Sequence, residues 1–214
     1  MDNFELWDNL FQITALFIAM LAVGVLAVKH RSRRLVVLAC DHGCFMLGTS
    51  FFTLHLSIMG DIPNIFYVSD IAWIAAYLFL LLLMLLRVEH SGEKVEFRLL
   101  PALIFVLIFV AAIYTEMLGP SKLMSACIGI IGGATVYLAI IAVSDAVKKN
   151  DKLRAVDIMV PVRIFLQIMI YFVSDYMSDF TDFNLYFAVD ILMTLNMVGL
   201  GYFLRKEVIA DDQY

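Results

Sequence analysis

The sequence predicts an all-α polytopic membrane protein of seven transmembrane helices, and three observations carry that reading. Apolar runs, each about long enough to cross a bilayer, fill almost the whole of the 214 residues. The basic residues gather in alternate connections between those runs. The stretch opening at Asn64 is echoed, at a constant offset of 120, by the stretch opening at Asn184. The chain is 63% hydrophobic and 16% charged, with a mean hydropathy of +0.90, whereas an ordinary soluble domain has roughly one-quarter charged residues. That composition excludes a water-soluble fold.

A span needs about 20 apolar residues, at 1.5 Å rise each, to cross roughly 30 Å of hydrocarbon. The runs place spans at 8–28, 35–57, 65–86, 99–117, 123–146, 157–177 and 184–204. The first is preceded by Met1-Asp2-Asn3-Phe4-Glu5, acidic where a cleavable signal would be basic, so it is expected to remain in the mature protein. Spans one and two are joined by a turn carrying Lys29, Arg31, Arg33 and Arg34; spans two and three by Gly60-Asp61-Ile62-Pro63-Asn64, ordinary turn chemistry. Arg87, Lys94 and Arg98 follow span three, and Gly119-Pro120 marks the turn after span four, an almost wholly aliphatic helix expected to face lipid. Gly129, Gly132, Gly133 and Ala134 give span five a small surface for close helix packing. Lys148, Lys149, Lys152 and Arg154 precede span six, and Arg205 and Lys206 follow span seven.

These four segments hold 13 of the 15 basic residues, so by the positive-inside rule they face the cytoplasm. The N-terminus is then outside, with Asp2, Glu5, Asp8, Asp61, Glu116, Asp179 and Asp182, and the C-terminus inside. With short connections and a tail of about nine residues, no soluble domain is expected at either end. Cys40, Cys44 and Cys127 all fall within spans and read as packing residues rather than a disulfide framework. No basic stripe with interleaved aromatics is present, which sets nucleic acid aside.

At offset 120, Lys29 meets Lys149, Arg34 meets Arg154, Phe45 meets Phe165, Phe52 meets Phe172, Asn64 meets Asn184, Asp70 meets Asp190 and Ile71 meets Ile191. Matched loop lengths and a matched intramembrane Asp are harder to obtain by chance than matched apolar residues. The chain therefore reads as a duplication in a 3+1+3 arrangement: repeat one at 8–87, a linker helix at 99–117 and repeat two at 123–206, with parallel halves.

In topology this resembles the broad group of microbial rhodopsins and small sugar or cystine carriers. Asn184 to Leu204 contains no lysine, so a retinal Schiff base in the seventh span is excluded. A second resemblance lies in Arg33-Arg34, the loop ending Ile62-Pro63-Asn64, then Ser69-Asp70-Ile71-Ala72-Trp73 and Ala76-Tyr77-Leu78. It looks like the multi-span sensor module found ahead of diguanylate cyclase and histidine kinase domains in bacteria. The match covers about a quarter of the chain and implies a free-standing sensor of the bacterial plasma membrane.

An ionisable group at mid-span costs at least about 2.5 to 3.5 kcal/mol, so each asks for a partner or a wet cavity. On span three, Asp70, Trp73 and Tyr77 follow i, i+3, i+7 spacing and share a face; on span seven Thr194 follows Asp190 by four. Repeat symmetry puts His55 in the place of Asp175, so His55, Asp70, Asp175 and Asp190 are expected to converge beneath the outer surface. Trp73, Tyr77, Tyr67 and Tyr171 would wall such a cavity, which suits a small cationic or hydroxyl-rich ligand. Helix capping by Asp70 and Asp190, or ion coupling through them, are the competing readings. In the inner half, Asp41 and Arg163 lie at comparable depth and are expected to form an ion pair between the halves, against the alternative that Arg163 snorkels to lipid phosphates.

No ligand spacing for a metal occurs on any span, and no cofactor is expected. The expected function is a sensor or receptor-like module that binds a small ligand or lipid from the outer side and signals through a partner at the cytoplasmic face. The rivals are a small solute or ion carrier and a membrane lipid hydrolase resting on Ser69-Asp70 and Ser174-Asp175. Proline occurs inside a span only at Pro101 and Pro161, near the cytoplasmic ends, which disfavours the mid-span breaks of a carrier.

Overall fold

The computed structural model describes residues 4–60, 68–90, 92, 97–116, 122–149, 153–174, 176 and 182–211. Among them are seven α-helices: α1 (Phe4–His30), α2 (Arg33–Met59), α3 (Val68–His90), α4 (Leu99–Glu116), α5 (Lys122–Lys148), α6 (Ala155–Ser174) and α7 (Leu185–Asp211). No strand occurs among the described residues. Six of the helices, all but α4, are long and apolar enough to cross a membrane. α4 runs for 18 residues, about 27 Å at 1.5 Å per residue, with an apolar stretch shorter than the others. The chain thus has the architecture of a multi-pass membrane protein.

Its surfaces are arranged for lipid. On α1, Asp8, Gln12, Leu16, Ala19, Val23 and Ala27 are buried at the three-to-four-residue period of one helix face. The opposite face exposes Trp7, Phe17, Ile18, Leu21, Val25 and Val28. The helix is apolar outside and in part polar inside, the reverse of a helix packed for water. Asp41, His42, Asp157 and Arg163 are likewise fully buried, while Leu99, Leu103, Leu107 and Val110 of α4 are exposed.

Local chemistry sets several helix ends. Gly60 takes a left-handed conformation (φ 77°) and donates its N–H to the Leu56 carbonyl, closing α2. The Asn184 side chain accepts the N–H groups of Tyr186 (2.9 Å) and Phe187 (3.4 Å), capping α7. Its counterpart Asn64 lies outside the described residues.

α1 packs on α2, α2 on α3, α3 on α5, α5 on α6, α6 on α7 and α7 on α1, a closed circuit of six helices. α4 packs against α5 and α6, and α2 also reaches α7. Side-chain pairs give the relative directions. Gln12, early in α1, meets Thr49, late in α2, and Asp190, early in α7. Arg87, at the end of α3, holds Asp157 at the start of α6 at 3.1 Å. Arg98 beside α4 holds Asp145 of α5 at 2.7 Å, and Arg154 before α6 lies 3.9 Å from Glu207 of α7. These three ion pairs occupy the end of the bundle where the basic connections lie. A fraction of the expected loop cations is therefore tied into the bundle.

Candidate functional site

The polar interior begins near the N-termini of α1 and α7. Gln12 is the organising residue: its Nε2 donates to both carboxylate oxygens of Asp190, each at 3.1 Å, and to Thr194 Oγ1 at 3.1 Å. Thr49 Oγ1 donates to Gln12 Oε1 at 2.7 Å, which fixes the orientation of the amide. Three helices, α1, α2 and α7, are thereby joined through one side chain. Asp8 lies one turn before Gln12, and its carboxyl is a close neighbour of Asp190.

Below this cluster is a cavity of about 150 Å³. Asn9, Gln12 and Asp190 supply its polar wall, and Trp73, Tyr77, Tyr171 and Tyr186 much of its aromatic one. Gln167 of α6 lines it as well and accepts a hydrogen bond from the Tyr77 hydroxyl. Trp73 is held against Phe45 and Phe52, with ring centroids 6.3 and 5.9 Å away. It also lies over Gly48, where a Cβ would come within 2.6 Å of the indole. Only glycine lets α2 and α3 close on that ring. Two buried donors on the cavity wall, Asn9 Nδ2 and Trp73 Nε1, meet no acceptor among the described residues.

Deeper in the bundle stands a second polar group. Arg163 of α6 is fully buried and donates from Nη1 to Asp41 Oδ2 at 2.6 Å; His42 Nδ1 lies 3.0 Å from the same oxygen. The guanidinium carbon sits 5.4 Å from the Phe45 ring centroid and 5.3 Å from that of Tyr77. Phe45 and Tyr77 thus separate the cavity from a buried cation whose charge is shared by a carboxylate and two aromatic faces. The structure has Arg163 inside the bundle, not extended toward lipid phosphates.

Of the expected ligand-binding residues, Asp190, Trp73 and Tyr77 line one cavity, and Thr194 is tied to it through Gln12. Asp70 and His55, both half-buried, are not among the lining residues. Asp70 shares its azimuth with Tyr77 but lies two turns earlier, about 10 Å along the axis. Asp175 and Tyr67 lie outside the described residues. Ser174 donates to the Tyr171 carbonyl at 2.8 Å, and Ser69 does not line the cavity. Among the described residues no three His, Cys, Asp or Glu side chains are grouped to hold a metal ion.

Gln12, Asn9, Thr49 and Gln167 are neutral, so the charge pattern of the sequence does not mark them. The available signal was spacing: Gln12 follows Asp8 by four, and Gln167 follows Arg163 by four, one helical turn in each case. No protein-family model, no curated protein and no solved structure matches this chain.

Proposed function

We propose that this protein is an integral membrane sensor, a receptor-like module that binds a small polar ligand in the cavity bounded by Asp190, Asn9 and Trp73. The observation that carries the reading is the pair of unmet donors on the wall, Asn9 Nδ2 and Trp73 Nε1, beside a carboxylate. A buried donor without a partner costs about 1–3 kcal/mol. A ligand with acceptor oxygens and a positive or donor group recovers that cost while pairing with Asp190. The small volume favours a ligand of few heavy atoms. In the proposed orientation the N-terminus is outside, the cavity opens toward the outer side, and the basic end faces a cytoplasmic partner of a bacterial plasma membrane.

The 3+1+3 duplication belongs to the same proposal. Its support is the order of neighbours: α1–α2–α3 and α5–α6–α7 pack in sequence, and the third helix of each set meets the first of the other. α4 packs beside α5 and α6, as a linker helix would.

The test is thermal unfolding of detergent-purified protein with choline, glycine betaine and glycerol as probes. At least one should raise the midpoint, Asp190→Asn should abolish the rise, and Asp70→Asn should leave it intact. No shift with any probe, or equal loss in both variants, removes the reading. A carrier is the second reading, supported by the second polar group at Asp41 and Arg163 on the far side of Phe45 and Tyr77. Asp190-dependent counterflow of the bound probe in proteoliposomes would establish transport in place of sensing.

A further inference from the structure

A second candidate site lies on the outside of the bundle and is independent of the Asp190 cavity. α1 and α2 leave an open apolar groove of about 860 Å³ along their seam, with Phe79 of α3 at one side. Gly24 of α1 and Gly43 of α2 both line it, and a Cβ built on Gly24 meets nothing within 4 Å. On α2 the groove runs from Val36 to Leu47, about 16 Å at 1.5 Å per residue. That is half of a roughly 30 Å hydrocarbon core, the depth of a single leaflet. An acyl chain needs only one leaflet.

The end of the groove is marked by charge. A cavity of about 320 Å³ is lined by Arg33, Arg34, Glu89 and His90, with Ser32 and Leu86. Arg33 precedes Val36 by three on α2, and Leu86 follows Phe79 by seven on α3, so each lies on the face of its helix that lines the groove, while the cavity itself opens between α2 and α3. Lys29 and Arg31 at the end of α1 and Arg33 at the start of α2 are exposed, and Glu89 is the opposing charge on the cavity wall. An apolar slot one leaflet deep therefore ends at a predominantly basic rim.

We propose that this seam binds one anionic phospholipid, an acyl chain lying along Gly24 and Gly43 and the headgroup phosphate at Arg33. Arginine suits the role because its planar fork pairs with phosphate oxygens in a bidentate manner. The groove supplies chain burial and the rim supplies headgroup selection, the two contributions that together hold a lipid in place.

Native mass spectrometry of the full chain, purified with equal amounts of phosphatidylglycerol and phosphatidylcholine, tests this directly. The expected result is one phosphatidylglycerol retained per chain in preference to phosphatidylcholine. Arg33→Gln should lower that preference about fivefold, the effect of one basic residue near an anionic headgroup. Gly24→Phe, which fills the groove, should remove the adduct, and Leu107→Phe on the exposed face of α4 should not. Equal retention of both lipids, an adduct that survives Gly24→Phe, or a dimer of this chain that Gly24→Phe dissolves would each overturn the proposal. If Gly24→Phe fails to fold, photocrosslinking of wild-type protein with a phosphatidylglycerol carrying a photoreactive acyl chain decides the matter: label within residues 20–47 supports the site, and label elsewhere refutes it.

Discussion

Two side chains, Arg163 and Gln12, bear the largest share of the polar interior. Arg163 is fully buried with Asp41 as its anionic partner at 2.6 Å. Removing one member of such a pair strands the other charge in a low-dielectric interior, at a cost of about 3–5 kcal/mol. Asp41→Asn should therefore lower stability in SDS unfolding by that order, and Asp41→Leu with Arg163→Met should be less harmful than either single change. A double variant as unstable as the sum of the singles would contradict this account. Gln12 satisfies Asp190, Thr194 and Thr49 at once. Gln12→Leu should cost about 1–3 kcal/mol through the groups it leaves unsatisfied, measured in the same unfolding assay. The Asp41 and Arg163 pairing was accessible from sequence because both are ionisable and of similar depth. The Gln12 network was not, because a neutral amide in a span has several ways to satisfy itself locally, and its partner Asp190 is 178 residues away.

The helices meet where glycine permits it. Gly48 of α2 accommodates the Trp73 indole, and a Cβ there would lie 2.6 Å from the ring. Gly48→Ala should displace Trp73 and destabilise the α2 and α3 contact by about 1–3 kcal/mol. In a Trp7→Phe background only Trp73 remains to report, so a shift in its emission accompanying the lost stability checks the mechanism. Gly133 of α5 plays the same part for α4: a Cβ would come within 2.8 Å of Phe105. Gly133→Leu should loosen α4 from α5, read as increased protease sensitivity near Arg98. The small residues of span five were legible as a packing surface. Which helix would occupy that surface was not, because small residues state only that something approaches closely.

Across the whole molecule, the circuit of six helices encloses a largely apolar core holding a few buried polar groups and presents an apolar exterior. The proposed orientation is tested by fusing a fluorescent protein or alkaline phosphatase to Tyr214: fluorescence with no phosphatase activity places the C-terminus in the cytoplasm, and the reverse pattern inverts the topology. By itself the sequence determined the seven helices and their approximate limits, since length and apolar content are local properties that a bilayer reads directly. It also determined that charge would segregate between connections. Tertiary structure alone decided that α7 returns to α1, that Asp190 meets Gln12 while Asp70 stays outside the cavity, and that Arg87 and Arg98 are drawn into ion pairs. The physical reason is that hydropathy specifies how a segment meets its solvent. The choice among polar partners depends on helix rotation, depth and neighbours, which are set only when the bundle closes.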